Sequence, residues 1–187
     1  YNEKTKNILD ISSNTGKWAI ASSKFSPDVH ITIMDLPGQL NVAKKRIEEL
    51  GLDKRVSFLP VNILDEQTKI PTGFDTIWMS QFLDCFSEAE IVSILKRCYD
   101  ALNENGQVII MEPFWDRQKF EVGAFCLQQL SVYFTVMANG NSQMYSSETF
   151  IKCIEQAGLE IVEQTDNIGL SQTLIKCKKK NKNYENR

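Results

Sequence analysis

The chain of 187 residues is long enough for one domain with a sizeable buried core. Its hydrophobic fraction of 42% and charged fraction of 24% are typical of globular proteins. No apolar run approaches the roughly 18 residues of a membrane helix, and no signal-peptide pattern is found, so we expect a cytoplasmic protein without membrane association.

Charge is distributed unevenly along the sequence. The net charge is −3, but residues 176–187 carry a net +5, which leaves −8 on the rest. An acidic body argues against nucleic-acid binding. The basic end, with 179–187 as a flexible tail, could touch anions or membranes, but a solvated terminus is the favoured interpretation.

Cysteine and histidine are arranged without a metal-binding or disulfide pattern. The five cysteines are odd in number and form no CxxC spacing, which is typical of reduced thiols. The single histidine, His30, cannot build a multi-histidine site. We therefore expect no metal.

The apolar runs alternate between strand-like and helix-like lengths. In chain order they predict a strand at 7–11, a helix at 16–25, a strand at 29–34, a helix at 40–50, strands at 56–59 and 74–79, a helix at 88–102 and a strand at 106–111. Ser87 is a natural N-cap, and Gly51 a stop signal. This alternation predicts an α/β, Rossmann-like, mostly parallel sheet with helices on both faces.

The last third of the chain has a different pattern. It predicts helices at 120–137 and 146–157, then strands at 159–163 and 173–177. The short loop between these strands contains Asn167 and Gly169, which indicates an antiparallel C-terminal hairpin. No linker interrupts residues 6–178, so we expect one domain over 1–187.

The carboxyl ends of the first two strands carry the clearest ligand signal. The first strand leads through Asp10, Ser12 and other small polar residues to Gly16, where a helix begins. The second strand ends at Asp35, whose carboxylate can accept both hydrogen bonds of a ribose diol. A lone Gly16 does not make the G-x-G-x-x-G dinucleotide pattern, and no P-loop is present. A cofactor with a ribose but no phosphate fits better, and S-adenosylmethionine is such a molecule.

On these residues the chain resembles class I S-adenosylmethionine-dependent methyltransferases, and more closely the catalytic domain of small-molecule O-methyltransferases of the caffeate and hydroxyindole type. The resemblance covers roughly residues 6–178. Its motifs are LDISSNTG at the first turn, MDLP at 34–37, VNIL at 61–64, FLDCFSE at 82–88, VIIMEPF at 108–114 and FIKCIEQAGLEIVE at 150–163. It implies a seven-stranded sheet.

The resemblance also implies roles for the cofactor-binding residues. Asp35 would hold the ribose hydroxyls, while Leu36, Asn62 and Ile63 would contact the adenine and Phe86 would lie near the cofactor. Apolar members of this set have an alternative role as core. Some positions depart from the family: Ser80 replaces a lysine, and Ser12, Ser13 and Asn14 replace glycines. The full predicted set is Asp10, Ser12, Gly16, Asp35, Leu36, Asn62, Ile63, Ser80 and Phe86.

The catalytic positions depart further. The family's general base is a histidine, and Asp84 stands at that position. Glu112 matches one of the two acids that flank the histidine, while the other falls near Met144. We expect Asp84 and Glu112 to be catalytic, although Asp84 could instead be a favourable charge before a helix N-terminus.

A segment rich in aromatic residues and methionine matches the family's acceptor pocket. The predicted lining residues are Phe114, Trp115, Tyr133, Met137 and Met144, with helix core as the alternative for each. The expected function is methyl transfer from S-adenosylmethionine to an oxygen of a small aromatic or apolar molecule, with nitrogen or carbon as second choices.

Two alternatives stay open at this point. The missing histidine, lysine and glycines suit a methyltransferase-like binding module without catalysis, whereas an NAD-dependent oxidoreductase is disfavoured by the glycine pattern. The family carries an N-terminal dimerisation domain. Because this chain starts at Tyr1, just before the first strand, we expect that domain to be absent here and the full-length protein to be a homodimer.

Overall fold

A computed structural model describes residues 4–137 and 140–180 of the chain. Its strands and helices follow the predicted order, with two short 3-10 turns added at Leu83–Cys85 and Trp115–Arg117. The strands are β1 (Asn7–Ile11), β2 (His30–Asp35), β3 (Val56–Pro60), β4 (Phe74–Ser80), β5 (Leu102–Pro113), β6 (Leu159–Ile168) and β7 (Gln172–Lys179). The helices are α1 (Lys17–Phe25), α2 (Leu40–Glu49), α3 (Glu88–Ala101), α4 (Glu121–Met137) and α5 (Ser147–Gln156).

The strands form one sheet of seven in the order β3-β2-β1-β4-β5-β7-β6. The pairs from β3 through β5 are parallel, and β7 runs antiparallel to both β5 and β6. The strand order reverses beside β1, between β1 and β4, so ligands are expected at the carboxyl ends of these strands. The Rossmann-like sheet and its antiparallel C-terminal hairpin are therefore confirmed.

Two hydrophobic cores separate the helices onto opposite faces of the sheet. On one face, residues of α1 and α2 such as Ala19 and Ile47 pack with Ile8 and Ile31 of the strands. On the other face, α3 and α5 pack with strand residues such as Ile77. Apolar burial on both faces explains why the parallel strands are continuously apolar in sequence.

The caps and turns predicted from sequence have the expected geometry. The Ser87 hydroxyl accepts a hydrogen bond from the Glu90 N–H, and the Glu90 carboxylate accepts one from the Ser87 N–H, which makes a capping box for α3. Asn167 and Gly169 both have positive φ angles, 60° and 62°, in the loop that joins β6 to β7. Both features fix where the chain changes direction.

Some predicted boundaries were wrong. β5 begins at Leu102 rather than at 106, because the chain pairs with β4 immediately after α3 and continues past a register shift. Lys179 belongs to β7 rather than to a flexible tail, since its ammonium donates to the Leu102 carbonyl and lies 4.8 Å from the Tyr99 ring. Residues 181–187 of the predicted tail lie outside the described residues.

Helix α4 exposes most of its apolar side chains. Leu127 is its buried residue, whereas Val122, Phe125, Val132 and Val136 are each at least 60% exposed. Among the described helices, none has both the length and the apolarity needed to cross a lipid bilayer.

Candidate active site

The turn after β1 is built from residues in the left-handed backbone region. Ser12, Asn14 and Gly16 have φ angles of 60°, 52° and 72°. Asparagine and glycine accept this conformation more easily than most residues do. The Ser12 N–H donates to the Met34 carbonyl at 2.8 Å, so the turn is held against the end of β2.

Gly16 has a packing role at the start of α1. A Cβ added there would lie 3.3 Å from the Cβ of Ala43 in α2. Glycine therefore allows close approach of the two helices, in addition to its positive φ. Gly16 does not line the cavity described below.

Asp35 faces the same turn from the end of β2. One carboxylate oxygen accepts the Asn14 N–H at 3.1 Å, and the other accepts the Leu36 N–H at 2.8 Å. These bonds fix the carboxylate orientation. A carboxylate offers about four acceptor positions, so two stay open toward a ligand.

A cavity of about 310 Å³ opens at the carboxyl ends of β1 and β2. We call it the first cavity. Of the predicted cofactor-binding residues, it collects Ser12, Asp35, Leu36, Asn62, Ile63 and Phe86. Its remaining lining residues are Ile11, Asn14, Met34, Gln39, Val61, Leu64 and Phe82. The cavity is thus apolar around a fixed carboxylate.

Asp10 and Ser80 do not line the first cavity. Ser80 ends β4 and is partly buried. Asp10 is 1% exposed beneath the first turn, and its Oδ2 has no hydrogen-bond partner. Burial raises the pKa of Asp10 to about 7. The nearby Ser13 hydroxyl, which makes no well-formed hydrogen bond, partly offsets this increase in the pKa, and the Asp35 carboxylate raises the pKa by a smaller amount.

A second cavity of about 430 Å³ lies on the other side of the segment 81–86. Its lining residues are Gln81, Asp84, Cys85, Pro113, Leu127, Leu130, Phe134, Ser142, Met144, Ser171 and Gln172. The predicted catalytic residue Asp84 and the predicted pocket residue Met144 are therefore brought together. Its lining combines apolar side chains, among them Leu127, Leu130 and Phe134, with polar side chains such as Asp84 and Gln172.

Four predicted pocket residues do not line the second cavity. Phe114 is 1% exposed and packs on Phe150, with ring centroids 5.1 Å apart, so it is core. Trp115 lies in the 3-10 turn that follows β5 and is partly buried. Tyr133 and Met137 lie on the exposed side of α4. For Tyr133 and Met137, the helical periodicity of the sequence did not distinguish the side of α4 that faces the cavity from the side that faces solvent.

The segment 81–86 separates the two cavities. Phe82 and Phe86 face the first cavity, with their rings in edge contact at 4.9 Å, while Gln81, Asp84 and Cys85 face the second. The 3-10 turn Leu83–Cys85 produces this alternation. Segment 81–86 therefore contributes side chains to the lining of both cavities.

Glu112 anchors this segment from β5. Its Oε1 accepts the N–H groups of Phe82 and Leu83, both at 2.8 Å, while Oε2 is buried without a partner. Burial and the nearby Asp84 carboxyl raise the pKa of Glu112, which the two N–H groups only partly offset. Burial also raises the pKa of Asp84.

The thiol beside this pair is not activated. Burial and the neighbouring Asp84 carboxyl raise the pKa of Cys85 to about 12, so the thiolate is scarce at neutral pH. Among the residues that the structure describes, no three His, Cys, Asp or Glu side chains are grouped to hold a metal ion.

Several cavity residues were missed from sequence. Gln172 and Ser171 come from the hairpin turn, and Ser142 comes from the segment between α4 and α5. These polar residues are far from Asp84 in sequence and carry no motif. The pairing of β5 with β7 sets Gln172 opposite Pro113, whereas Ser142 lies at the site through the hydrogen bond that its hydroxyl donates to the Cys85 carbonyl.

Comparison with known proteins agrees with this architecture. The sequence profile of the O-methyltransferase domain matches residues 3–160. The mitomycin 7-O-methyltransferase MmcR superposes with a TM-score of 0.83 at 18% identity, covering 96% of this chain and 50% of that chain. The O-methyltransferase NcsB1 in complex with S-adenosylmethionine superposes at 0.79 and 19% identity, covering 96% and 50%. At these identities the structures establish the fold.

Sequence relatives transfer methyl groups to different atoms. L-tyrosine C(3)-methyltransferase of Streptomyces lavendulae is 27% identical over 82% of this chain and 41% of the relative. Phenazine-1-carboxylate N-methyltransferase of Pseudomonas aeruginosa is 24% identical over 57% and 31%. The chain therefore spans less than half the length of these relatives.

The seven-stranded order and the site at the strand ends define an α/β domain of the methyltransferase class. With the profile match covering most of its length, the chain belongs to the O-methyltransferase domain family.

Proposed function

We propose that this chain is the catalytic domain of an S-adenosylmethionine-dependent methyltransferase that acts on a small aromatic or apolar acceptor. The observation that carries the proposal is the pair of cavities on either side of the segment 81–86, one holding Asp35 and the other holding Asp84. Direct transfer requires the methyl carbon and the acceptor atom to come within about 3–3.5 Å, so donor and acceptor would have to meet where the two cavities approach each other at this segment.

The residues of the first cavity fit S-adenosylmethionine. Its volume of about 310 Å³ is at the lower end of the range of small-molecule sites. The open acceptor positions of Asp35 suit the two ribose hydroxyls, and Leu36 and Ile63 offer apolar contact to an adenine ring. Asn62 would contact the adenine amino group, although its side-chain oxygen already accepts the Leu64 N–H at 3.1 Å.

Asp10 would act beneath the first turn as a buried counter-charge. Its Oδ2 lacks a hydrogen-bond partner, and a cationic ligand group nearby would favour its ionised form. In S-adenosylmethionine, the α-ammonium group would be the cationic group that lies near the Asp10 carboxyl. Ser12 and Asn14 would form the wall of the turn above it.

The second cavity would receive the acceptor. When bound, S-adenosylmethionine supplies a methyl group on a positively charged sulfur. The lining of the second cavity would align the acceptor toward the methyl group at segment 81–86, while Leu127, Leu130 and Phe134 would exclude water. Asp84 takes the proton that an acceptor hydroxyl releases as the new O–CH₃ bond forms. Its raised pKa brings it closer to the pKa of a phenol, about 10, which improves proton transfer.

Glu112 would position this base. It holds the N–H groups of Phe82 and Leu83, and so fixes the backbone that carries Asp84. Nitrogen and carbon acceptors remain second choices, in line with the N- and C-methyltransferases among the relatives. A binding module that has lost catalysis is the competing function, because no histidine stands at the base position.

Turnover with a labelled methyl donor and a panel of small phenols tests the proposal. The expected result is transfer that increases with pH as Asp84 ionises, and a loss of roughly 100-fold or more in Asp84→Asn. The asparagine keeps the size of the side chain but cannot accept the proton. An unchanged rate in this variant would remove Asp84 as the base, and no transfer to any acceptor by the full-length protein would favour the binding module.

The quaternary structure belongs to the same proposal. The chain would form one domain over 1–187, and a dimerisation domain of the kind found in this family would cover the apolar side chains of α4. The exposure of Phe125 and Val136 supports this arrangement. The whole protein would then be a homodimer with its acceptor site closed by that added domain.

A further inference from the structure

Two successive turns follow β3 and supply part of the wall of the first cavity. They cover residues 62–68, which we call the turn segment. The Asp65 N–H donates to the Asn62 carbonyl at 3.1 Å, and the Thr68 N–H donates to the Asp65 carbonyl at 2.9 Å. Asn62 and Ile63, at the start of the segment, line the first cavity. The conformation of the turn segment therefore sets where this wall lies.

One arginine of α3 is hydrogen-bonded to both turns. The Nη2 of Arg97 donates to the Ile63 carbonyl. Its Nη1 donates to the Asp65 and Thr68 carbonyls at 3.3 Å and 3.4 Å. Its Nε donates to the Ser93 carbonyl, one turn earlier in α3, at 3.4 Å. Because a guanidinium group presents its donors in fixed directions, one side chain connects the whole segment to the helix.

Apolar packing fixes only the start of the turn segment. Ile63 is 9% exposed, whereas residues 64–67 are all exposed. Exposed loops with few buried apolar contacts open locally at a low cost in free energy. The hydrogen bonds from Arg97 reach past the buried start of the segment, and so they oppose this opening.

We propose that Arg97 is a positioning residue for the cofactor, and that it holds the turn segment so that Asn62 and Ile63 meet the adenine ring. This rests on the proposed function, since it assigns the first cavity to S-adenosylmethionine. Arg97 does not line that cavity and acts through the backbone of the turn segment. When the binding-competent arrangement of a site is only partly populated, the apparent affinity falls by the populated fraction.

Arg55 provides a matched control. Its Nη1 donates to the carbonyls of Ser23, Ser26 and Pro27 at 2.9, 3.4 and 3.0 Å, where α1 ends. None of these residues lines the first cavity. Both arginines are partly buried and donate to carbonyl oxygens of three distant residues, but only Arg97 does so at the wall of this cavity.

Two ligands with the same adenosine group test the proposal by calorimetry. S-adenosylhomocysteine carries the amino-acid part, and 5′-methylthioadenosine lacks it. Arg97→Met keeps an apolar stem of similar length but removes the donors. It is expected to weaken both ligands by the same factor, about tenfold, because the change lies at the adenine end. Arg97→Lys should lose less, since an ammonium group keeps donors but not the planar fork.

Arg55→Met separates positioning from general loss of stability. Both methionine variants are expected to unfold at lower urea concentration than the wild type, because both lose hydrogen bonds to backbone carbonyls. Arg55→Met should nevertheless bind both ligands as the wild type does. Equal affinity of the wild type and Arg97→Met, or equal loss in the two methionine variants, would overturn the proposal.

Hydrogen exchange of the Leu64 and Thr68 amides reports on the turn segment directly. In the unliganded protein these amides should exchange faster in Arg97→Met than in the wild type, and at the wild-type rate in Arg55→Met. Unchanged exchange in Arg97→Met would refute the positioning role.

The ligand pair distinguishes the remaining outcomes. A loss confined to S-adenosylhomocysteine in Arg97→Met would place the effect at the amino-acid part and overturn the assignment to the adenine end. Failure of the wild type to bind either ligand would refute the proposed function itself. Normal binding by the wild type with no selective loss in Arg97→Met would refute only the role of Arg97.

Discussion

At the scale of single residues, Asp10 is a buried carboxyl whose ionisation bears on folding. Its pKa is raised by burial from 3.8 to about 7, so the native state binds this proton more tightly than the unfolded chain does. The resulting stabilisation is complete below about pH 4 and is lost as the pH rises to about 7, with a maximum of about 4 kcal/mol.

Replacing this carboxyl therefore changes the pH dependence of stability. Asp10→Asn is expected to lose less stability than the wild type between pH 5 and pH 8, as measured by urea unfolding at both values. Asp53→Asn is the control, because Asp53 is exposed. Identical pH dependence in the wild type and Asp10→Asn would show that the buried Asp10 carboxyl does not titrate in this range.

At the scale of elements, the contact between α1 and α2 positions the turn above the first cavity. Gly16→Ala places a Cβ 3.3 Å from Ala43 and requires a φ of 72°, which alanine adopts reluctantly. We expect a loss of about 1–3 kcal/mol in unfolding free energy, since strain and close contact both contribute.

Gly38 offers a matched control for this substitution. A Cβ at Gly38 meets nothing within 4 Å, and no unusual φ is required. Gly38→Ala should therefore be neutral or slightly stabilising in the same denaturant titration. If both alanine variants lose equal stability, close packing at Gly16 is not what the glycine provides.

The elements also explain which predictions succeeded. Strand and helix order followed from apolar periodicity, and Asp35 could be predicted as a ligand-binding residue because a carboxylate at the end of the second strand has a local signal. Gln172 was missed because only the antiparallel pairing of β7 with β5 brings it to the site. Phe114, predicted for the acceptor pocket with core as the alternative, packs on Phe150 in the core, a role that its aromatic side chain serves equally well.

At the scale of the whole molecule, the apolar surface of α4 predicts self-association of the isolated chain. Exposed apolar patches of this kind promote protein contacts. Light scattering should give a mass above that of the monomer that rises with concentration. The double variant Val132→Glu with Val136→Glu should restore the monomer, because both side chains are exposed on α4.

Val42→Glu is the control for surface charge alone, since Val42 is 52% exposed and belongs to α2 rather than to α4. It should leave self-association unchanged. Monomeric wild type at all concentrations, or an equal response to both changes, would contradict the assignment of α4 as the associating surface.

The central claim is that the first cavity binds S-adenosylmethionine through Asp35, and calorimetry with S-adenosylhomocysteine tests it most directly. Asp35→Ala removes the acceptor of the two ribose hydroxyls, which should cost about 1.5–3 kcal/mol, or roughly 10- to 100-fold in affinity. Asp53→Ala should bind as the wild type does, and NAD should not bind any of the three proteins. Equal affinity of wild type and Asp35→Ala for S-adenosylhomocysteine would contradict the account.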